Sequence, residues 1–246
     1  MSVVSARADV GLVFALGLEQ ASIESTTTHV ERHETPDGKF RLCRLGERSL
    51  AAVVSGPGRG AAQRATETLI QAHRPRLVVS AGFAGGLSPD LKPADVVMAR
   101  RIVRLAGPAV ALEPTMLERF QVDGVAIGPF AEVEAIVAAA EAKRAWSERT
   151  EAVACDMESA AVAEVCIAHA TPFLAIRAVT DAVDEDLPND LAPLIEARGT
   201  ARTLGAVVGS LWRRPASLKD MWNLHERAVV AAAALGRVLV QIIERL

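Results

Sequence analysis

The sequence contains no tyrosine, six phenylalanines and three tryptophans, so aromatic side chains make up only 4% of its 246 residues. Half of the residues are nevertheless apolar, and Ala, Val and Leu dominate among them. We therefore expect a core built from small aliphatic side chains. The length suits a single domain with one large core.

Cysteine is also scarce. Cys43, Cys155 and Cys166 are odd in number and show no CxxC spacing, which excludes a disulfide framework and a cysteine-based zinc site. The five histidines lack the HExxH spacing of a metalloprotease, so no metal is predicted. No GxSxG motif is present, and a serine hydrolase triad therefore has no basis in the sequence.

Neither a strong positive charge nor a long hydrophobic run is present. Twenty-seven basic residues face thirty acidic ones, and no basic stripe with aromatics predicts binding to nucleic acid. The first nine residues lack the pattern of a signal peptide. The longest apolar stretch, 229–243, is interrupted by Gly236 and Arg237 and is too short to span a bilayer. We expect a cytoplasmic protein without integral membrane association.

What the sequence does contain is an alternation of short Val/Ile/Leu runs with longer Ala-rich stretches of helical period. This pattern predicts an α/β fold around a buried, largely parallel sheet. Strands are predicted at 10–16, 40–45, 50–55, 76–81, 95–103, 124–128, 153–157 and 173–180. Helices are predicted at 60–73, 131–148, 158–170, 190–211 and 221–245. The predicted organisation is a disordered tail at 1–9 and one domain at 10–246, whose C-terminal helices occupy 190–246.

Two carboxylates follow predicted strands at the edge where ligands bind in such folds. Glu158 follows strand 153–157, and Asp181 follows strand 173–180. With the helix between them these strands form a βαβ unit, so we expect them to be parallel and close neighbours. The two carboxylates could then serve opposite ends of one small ligand. Alternatively, Glu158 only complements a helix dipole and Asp181 only caps a loop, but neither reading explains both residues together.

Other polar or glycine-rich segments also follow strands. Glu19 could serve the ligand or be an exposed residue at a helix start. The turn formed by Ser55, Gly56, Pro57, Gly58 and Arg59 could approach an anion or be a simple strand-to-helix connection. Residues 82–86 permit close backbone approach to a ligand, with Phe83 facing the ligand or the core. Arg177 lies inside a strand and should meet a carboxylate, either internally or at the ligand.

Several of these segments together resemble the superfamily of nucleoside phosphorylases and methylthioadenosine/S-adenosylhomocysteine nucleosidases. The resemblance rests on 155–161 (CDMESAA), 172–181 (PFLAIRAVTD), 11–19 (GLVFALGLE), 55–58 (SGPG) and 80–87 (SAGFAGGL). It implies a single-domain α/β/α sandwich with a mixed, mostly parallel central sheet. It also implies a homodimer or larger assembly. No cofactor is expected.

The resemblance assigns roles to individual residues. Asp181 is expected to be the general acid toward the purine N7, and Glu19 the general base that activates water. Met157 and Glu158 would hold the ribose, and Arg177 would support Asp181. The remaining substrate-binding candidates are Ser80, Gly82, Phe83, Glu132 and Val133. The last two fall where an aromatic residue would stack on adenine.

Ser80 and Phe83 occupy positions where phosphorylases bind phosphate, so water is favoured as the nucleophile. The primary hypothesis is therefore hydrolysis of an adenosine-type nucleoside. Phosphorolysis remains an alternative, with inorganic phosphate held by Ser55, Gly56, Gly58 and Arg59. Its substrate would be a hydrophobic adenosyl compound, as in the hopanoid-associated phosphorylase branch that residues 187–188 and 212–215 resemble. A third hypothesis is an inactive nucleoside-binding protein.

Overall fold

The computed structural model describes residues 7–104, 110–112, 117–187 and 215–246. The strands within these ranges are β1 (Val10–Phe14), β2 (Thr28–Thr35), β3 (Gly38–Leu45), β4 (Arg48–Val54), β5 (Leu77–Gly86), β6 (Val96–Arg104), β7 (Val110–Leu112), β8 (Ala126–Glu132), β9 (Ala154–Asp156) and β10 (Phe173–Asp181). The α-helices are α1 (Gly17–Ala21), α2 (Arg59–His73), α3 (Ala140–Thr150), α4 (Ser159–Ala168) and α5 (Pro215–Glu244). Short 3-10 turns lie at Glu24–Thr26 and Leu117–Phe120.

The strands form one mixed sheet with a parallel centre, as the sequence predicts. β1 pairs in parallel with β4 and β5, and β5 pairs in parallel with β10. β10 continues antiparallel to β6, β6 is parallel to β8, and β8 is parallel to β9. Because β9 returns to pair with β5, this half of the sheet closes on itself. On the open side, β4, β3 and β2 add antiparallel hairpins.

Helices cover both faces of the sheet and bury a core of small aliphatic side chains. Residues of α2 and α4 pack with the sheet in one cluster, and residues of α5 pack with it in another. The three cysteines are free and buried. Among the described residues, no helix is both long enough and apolar enough to cross a membrane. The predicted α/β sandwich is confirmed.

Some element boundaries differ from the predictions. Strand β2 was missed because its sequence, THVERHET, is polar; it is an edge strand whose side chains are all at least partly exposed. Helix 131–148 was predicted to start too early, since β8 runs to Glu132 and α3 begins at Ala140. Pairing with β6 and β9 overrides the helix propensity of those first residues.

The chain ends also differ from expectation. The tail predicted at 1–9 is too long, because the amide of Ala8 donates to His73 and that of Asp9 donates to Ser49. Residues 1–6 lie outside the described residues, as does the predicted helix 190–211. The last helix starts at Pro215, six residues before the predicted 221.

The most consequential difference concerns the predicted βαβ unit. β9 and β10 are not neighbours, because β5 lies between them. β9 runs antiparallel to β5 and β10 runs parallel to it, so the two strands are antiparallel to each other. The expectation that Glu158 and Asp181 follow adjacent parallel strands is therefore wrong.

Candidate active site

Glu19 is drawn inward at the end of β1 by backbone donors. The strand ends at Phe14, and Glu19 lies in the first turn of α1, where it is only 3% exposed. Its Oε2 accepts hydrogen bonds from the amides of Ala15 and Leu16 at 2.8 Å each, and Oε1 accepts one from Phe83 at 2.8 Å. Burial raises the pKa of Glu19, although these amides and Arg177 oppose the shift. The result is a fixed carboxylate with increased affinity for a proton.

Gly82 provides the space in which the Glu19 carboxylate sits. A Cβ at this position would lie 2.6 Å from Glu19 Oε1, which is too close for a real contact. We expect Gly82→Ala to displace the carboxylate. If Glu19 takes part in a reaction, kcat should then fall at least tenfold, since small misplacements of a reacting group are costly. Steady-state kinetics checks this. Gly17→Ala is the matched control, because nothing lies within 4 Å of its added Cβ. Equal activity of the two variants would contradict the prediction.

The glycine-rich turn after β4 binds a carboxylate of the protein itself. Gly56 and Gly58 have φ values of 86° and 91°, which favour glycine over other residues. The Gly58 amide donates to Glu158 Oε1 at 2.7 Å. Burial, together with the charge of nearby Asp156, raises the pKa of Glu158 to about 7. The turn predicted as an anion loop thus positions Glu158.

The raised pKa of Glu158 has a consequence for stability. A carboxyl whose pKa rises from 4.5 to about 7 on folding stabilises the protein below pH 4.5, and this contribution is lost as the pH rises through 7. The neutral variant Glu158→Gln should therefore match the wild type near pH 4.5. At pH 8 we expect it to be more stable by about 3 kcal/mol. Urea denaturation at both pH values tests this, with exposed Glu148→Gln as the control. A pH-independent difference would refute it.

Arg177 is the cation at the centre of these carboxylates. It is 2% exposed and forms a very short ion pair with Asp156, whose side chain is 1% exposed. Its guanidinium also donates to the Ser80 hydroxyl and the Ser80 carbonyl, both at 2.9 Å. Of the two readings of Arg177, the internal ion pair is correct. The expectation that Arg177 supports Asp181 is wrong, because Arg177 pairs with Asp156. Ser80 is 1% exposed and packs against the arginine.

A bulge in β10 explains why Arg177 and Asp181 separate. Val179 pairs with Ala84 and Asp181 pairs with Gly85, so Thr180 is an extra residue in the strand. Side chains four residues apart on a regular strand share a face, but one inserted residue reverses that alternation. Asp181 therefore turns away from the face that Arg177 occupies.

On its own face, Asp181 is 3% exposed and has a different set of neighbours. Oδ1 accepts a hydrogen bond from the Thr180 hydroxyl at 2.7 Å, and Oδ2 lies 2.6 Å from Lys143 Nζ. Gly85 leaves space on one side, where a Cβ would lie 3.3 Å from both Oδ2 and Cys155 Sγ. Burial, with Asp181 nearby, raises the pKa of the Cys155 thiol to about 12. The thiol is thus protonated and not a nucleophile.

The arginine proposed for phosphate is already paired. Arg59 forms ion pairs with Glu132 at 2.9 Å and, at very short range, with Glu164. Arg104 joins the same group, 3.1 Å from Glu132 and 2.9 Å from Glu164. Glu132, 8% exposed, therefore faces two arginines. Arg59 is not an unpaired anion-binding group, and Ser55 donates its hydroxyl to backbone carbonyls.

The apolar candidates divide between core and site edge. Val133 is 5% exposed and packs in a small cluster with Leu87 and Cys155, so it belongs to the core. Met157 is partly exposed at the edge of that cluster. Phe83 is partly exposed beside the α5 side of the core.

Two residues of the site, Asp156 and Lys143, were not predicted from the sequence. Asp156 directly precedes Met157 and Glu158, and a buried arginine expected to need a carboxylate could have pointed to it. Lys143 gave no local signal, because its position in an Ala-rich helix is ordinary for lysine. Its contact with Asp181 joins residues 38 positions apart.

The arrangement can stabilise a positive charge on a bound ligand. Glu19, Asp156 and Glu158 interact electrostatically around the single guanidinium of Arg177. Such an excess of negative charge favours a positively charged transition state. Asp181 lies farther along the same strand as Arg177.

Known proteins are similar to this chain over most of its length. The family model of the phosphorylase superfamily matches residues 9–208. The 5′-methylthioadenosine/S-adenosylhomocysteine nucleosidase of Shewanella oneidensis is 26% identical over 214 residues, covering 77% of this chain and 91% of the relative. The enzyme of the same name from Marinomonas sp. is 28% identical over 205 residues, covering 73% of this chain and 88% of the relative.

Solved structures share the fold. The nucleosidase of Neisseria meningitidis, in complex with methylthio-immucillin-A, superposes with a TM-score of 0.75 at 21% identity, covering 96% of this chain and 99% of that chain. The futalosine hydrolase of Helicobacter pylori gives a TM-score of 0.73 at 19% identity, covering 98% of this chain and 99% of that chain. The resemblance noted in the sequence is thereby confirmed: this chain belongs to the phosphorylase superfamily.

Proposed function

We propose that this protein hydrolyses the N-glycosidic bond of an adenosine-type purine nucleoside, without a cofactor. The observation that carries the proposal is the group formed by buried Glu19, buried Asp156 and partly exposed Glu158 around Arg177 at the carboxyl ends of the strands. The names of the nucleosidase and futalosine hydrolase relatives support hydrolysis. Methylthioadenosine and S-adenosylhomocysteine are the first substrates to test.

Glu19 is the general base in this proposal. Three backbone amides fix its carboxylate, so the orientation of the accepting oxygens does not depend on a mobile side chain. Burial raises its pKa, which makes the ionised form a stronger proton acceptor. Since the base must be ionised, activity should fall as the pH decreases through this raised pKa.

Glu158 and Met157 are the proposed ribose-binding residues. The Gly58 amide holds Glu158 Oε1 and leaves Oε2 for a sugar hydroxyl. Met157 is partly exposed and offers an apolar surface to the ring. Cleavage of a glycosidic bond passes through an oxocarbenium-like state, whose positive charge the surrounding carboxylates would stabilise.

Asp181 completes the reaction as the general acid. It transfers a proton to N7 of the purine while the bond between C1′ and the base nitrogen breaks. The oxygen of water then forms the bond to C1′, and the proton that this water loses passes to Glu19. The products are the free base and the free sugar, and the proton on Glu19 returns to Asp181 through solvent before the next turnover.

Ion pairing in the site favours water over phosphate. Arg177 is paired with Asp156, Lys143 with Asp181, and Arg59 with two glutamates. A phosphate dianion entering this site would have to displace a carboxylate from one of these cations. Water needs no such cation.

A panel of nucleosides assayed with and without inorganic phosphate tests the proposal. We expect purified protein to release adenine from methylthioadenosine or S-adenosylhomocysteine in phosphate-free buffer, with free sugar as the second product. Strict dependence on phosphate, with a sugar 1-phosphate as product, would establish phosphorolysis instead. Tight adenine binding without turnover of these two nucleosides, adenosine or inosine would establish a binding protein.

We further propose that the protein works as a homodimer in the cytoplasm. Ile167 on α4 is 61% exposed, and Val230 on α5 is 57% exposed, so apolar side chains are available for an interface. The three free cysteines suit a reducing compartment. Sedimentation velocity should give twice the chain mass, and a monomer at micromolar concentration would contradict the dimer.

A further inference from the structure

We propose that Lys143 is a positioning residue for the general acid: it holds Asp181 and the segment after it in the geometry needed to protonate the leaving base. This inference rests on the proposed function, because Lys143 can position the general acid only if Asp181 is that acid. Lys143 belongs to α3, which supplies none of the residues assigned to the reaction.

The first observation is that a buried ammonium group has three oxygen atoms around it. The Lys143 side chain is 0% exposed. Its Nζ donates to the carbonyls of Ala182 at 2.9 Å and Glu185 at 2.8 Å, and it lies 2.6 Å from Asp181 Oδ2. The ammonium thus donates to two carbonyls, and its positive charge is compensated by the carboxylate of Asp181. A buried lysine without such partners would be strongly unfavourable. The contacts therefore hold both the Lys143 side chain and the segment from Asp181 to Glu185 in place.

The second observation is that α3 and the segment after β10 are fastened at further points. Asp186 Oδ1 accepts a hydrogen bond from the Ala140 amide at 2.7 Å, at the N-terminus of the helix. The Leu187 amide donates to the Ala138 carbonyl at 2.8 Å. Helix and segment therefore form one unit, and Lys143 links that unit to the carboxylate of Asp181.

The third observation concerns which oxygen of Asp181 carries the proton. An ammonium only donates, so Oδ2, which faces Lys143, is not the oxygen that delivers a proton. Oδ1 lies 2.7 Å from the Thr180 hydroxyl, which can donate or accept, and that hydroxyl can turn to the Ala84 carbonyl at 3.3 Å. Lys143 thus leaves Oδ1 as the oxygen available for proton transfer and determines where it points.

A double-mutant cycle tests whether Lys143 acts through Asp181. We expect Lys143→Met to lower kcat on the order of 10- to 100-fold with KM changed less than threefold, because misplacing a reacting group affects the chemical step. In the Asp181→Asn background the same substitution should cost less than threefold more. Arg144→Met, at the exposed neighbouring cation on α3, should leave kcat unchanged. Undiminished kcat in Lys143→Met, or an equal loss in both backgrounds, would overturn the inference.

A second measurement does not depend on enzyme activity, and it can use a milder substitution if Lys143→Met does not fold. Amide hydrogen exchange should become faster at 182–187 in Lys143→Met and, if that protein fails to fold, in Lys143→Gln, which retains a donor but cannot reach three acceptors. The core strands should keep their protection. Unchanged exchange at 182–187 would refute the positioning role even if no nucleoside were hydrolysed. Conversely, a wild type inactive toward every nucleoside, with faster exchange in the variant, would refute the proposed function alone.

Discussion

Replacing Asp181 with Asn is expected to lower kcat for nucleoside cleavage by about 100- to 10,000-fold, the usual contribution of a general acid. Asparagine has nearly the same shape: its one side-chain oxygen can face Lys143, and its N–H₂ group can donate to the Thr180 hydroxyl, which can turn to the Ala84 carbonyl. The site should therefore keep its structure. What it lacks is a proton of suitable acidity for the purine. Single-turnover measurement of base release gives this rate without interference from product release.

The control for this variant is Asp184→Asn. Asp184 lies three residues farther along the chain and is exposed, so its neutralisation should change kcat by less than twofold. Thermal unfolding should show both variants folded. Full activity of Asp181→Asn would remove this residue from the mechanism and, with it, the reason to assign Lys143 a role.

Replacing Glu19 with Gln should reduce kcat by a similar factor of about 100 to 10,000, because water then lacks its base. This variant should also lose stability. All three hydrogen bonds to the Glu19 carboxylate come from backbone amides, and a glutamine places an N–H₂ group against at least one of them. An unpaired buried donor costs about 1–3 kcal/mol, which loss of the buried charge partly offsets.

Two measurements separate these effects. Urea denaturation gives the change in free energy of unfolding, and kcat at a temperature well below the unfolding midpoint gives the change in chemistry. Glu47→Gln is the matched control, since Glu47 lies in the exposed turn between β3 and β4. If Glu19→Gln were folded and hydrolysed nucleosides at the wild-type rate, a different group would have to activate the water.

Glu19 and Asp181 are held by opposite means, which fits opposite tasks. Backbone amides surround the carboxylate of Glu19, whereas a lysine and a hydroxyl contact that of Asp181. They reach the ends of different strands, β1 and β10, with β5 between them. An acid and a base that stand apart can act on opposite ends of the bond that breaks, whereas two carboxyls in contact would compete for one proton.

The sequence alone determined the fold class and most of the elements around the site. Continuous apolar runs specify strands buried on both faces, and Ala-rich stretches specify helices, so the strands that precede Glu19 and Asp181 were located from local pattern. Polar residues at the ends of such strands identified both carboxylates and Glu158, because a doubly wound sheet exposes its ligand site there. The glycines at 56, 58 and 82 were also marked, since close approach of backbone requires them.

Only the tertiary structure decided which strands are neighbours and which charged residues form ion pairs. Local pattern gives no order of strands, so the insertion of β5 between β9 and β10 was invisible, and a single extra residue at Thr180 reversed the face of Asp181. Arg177 therefore meets Asp156, Arg59 meets Glu132, and the acid meets a lysine from a distant helix. Ion pairs of this kind form because burial makes an uncompensated charge costly, and burial is a property of the packed molecule that no segment of the sequence carries by itself.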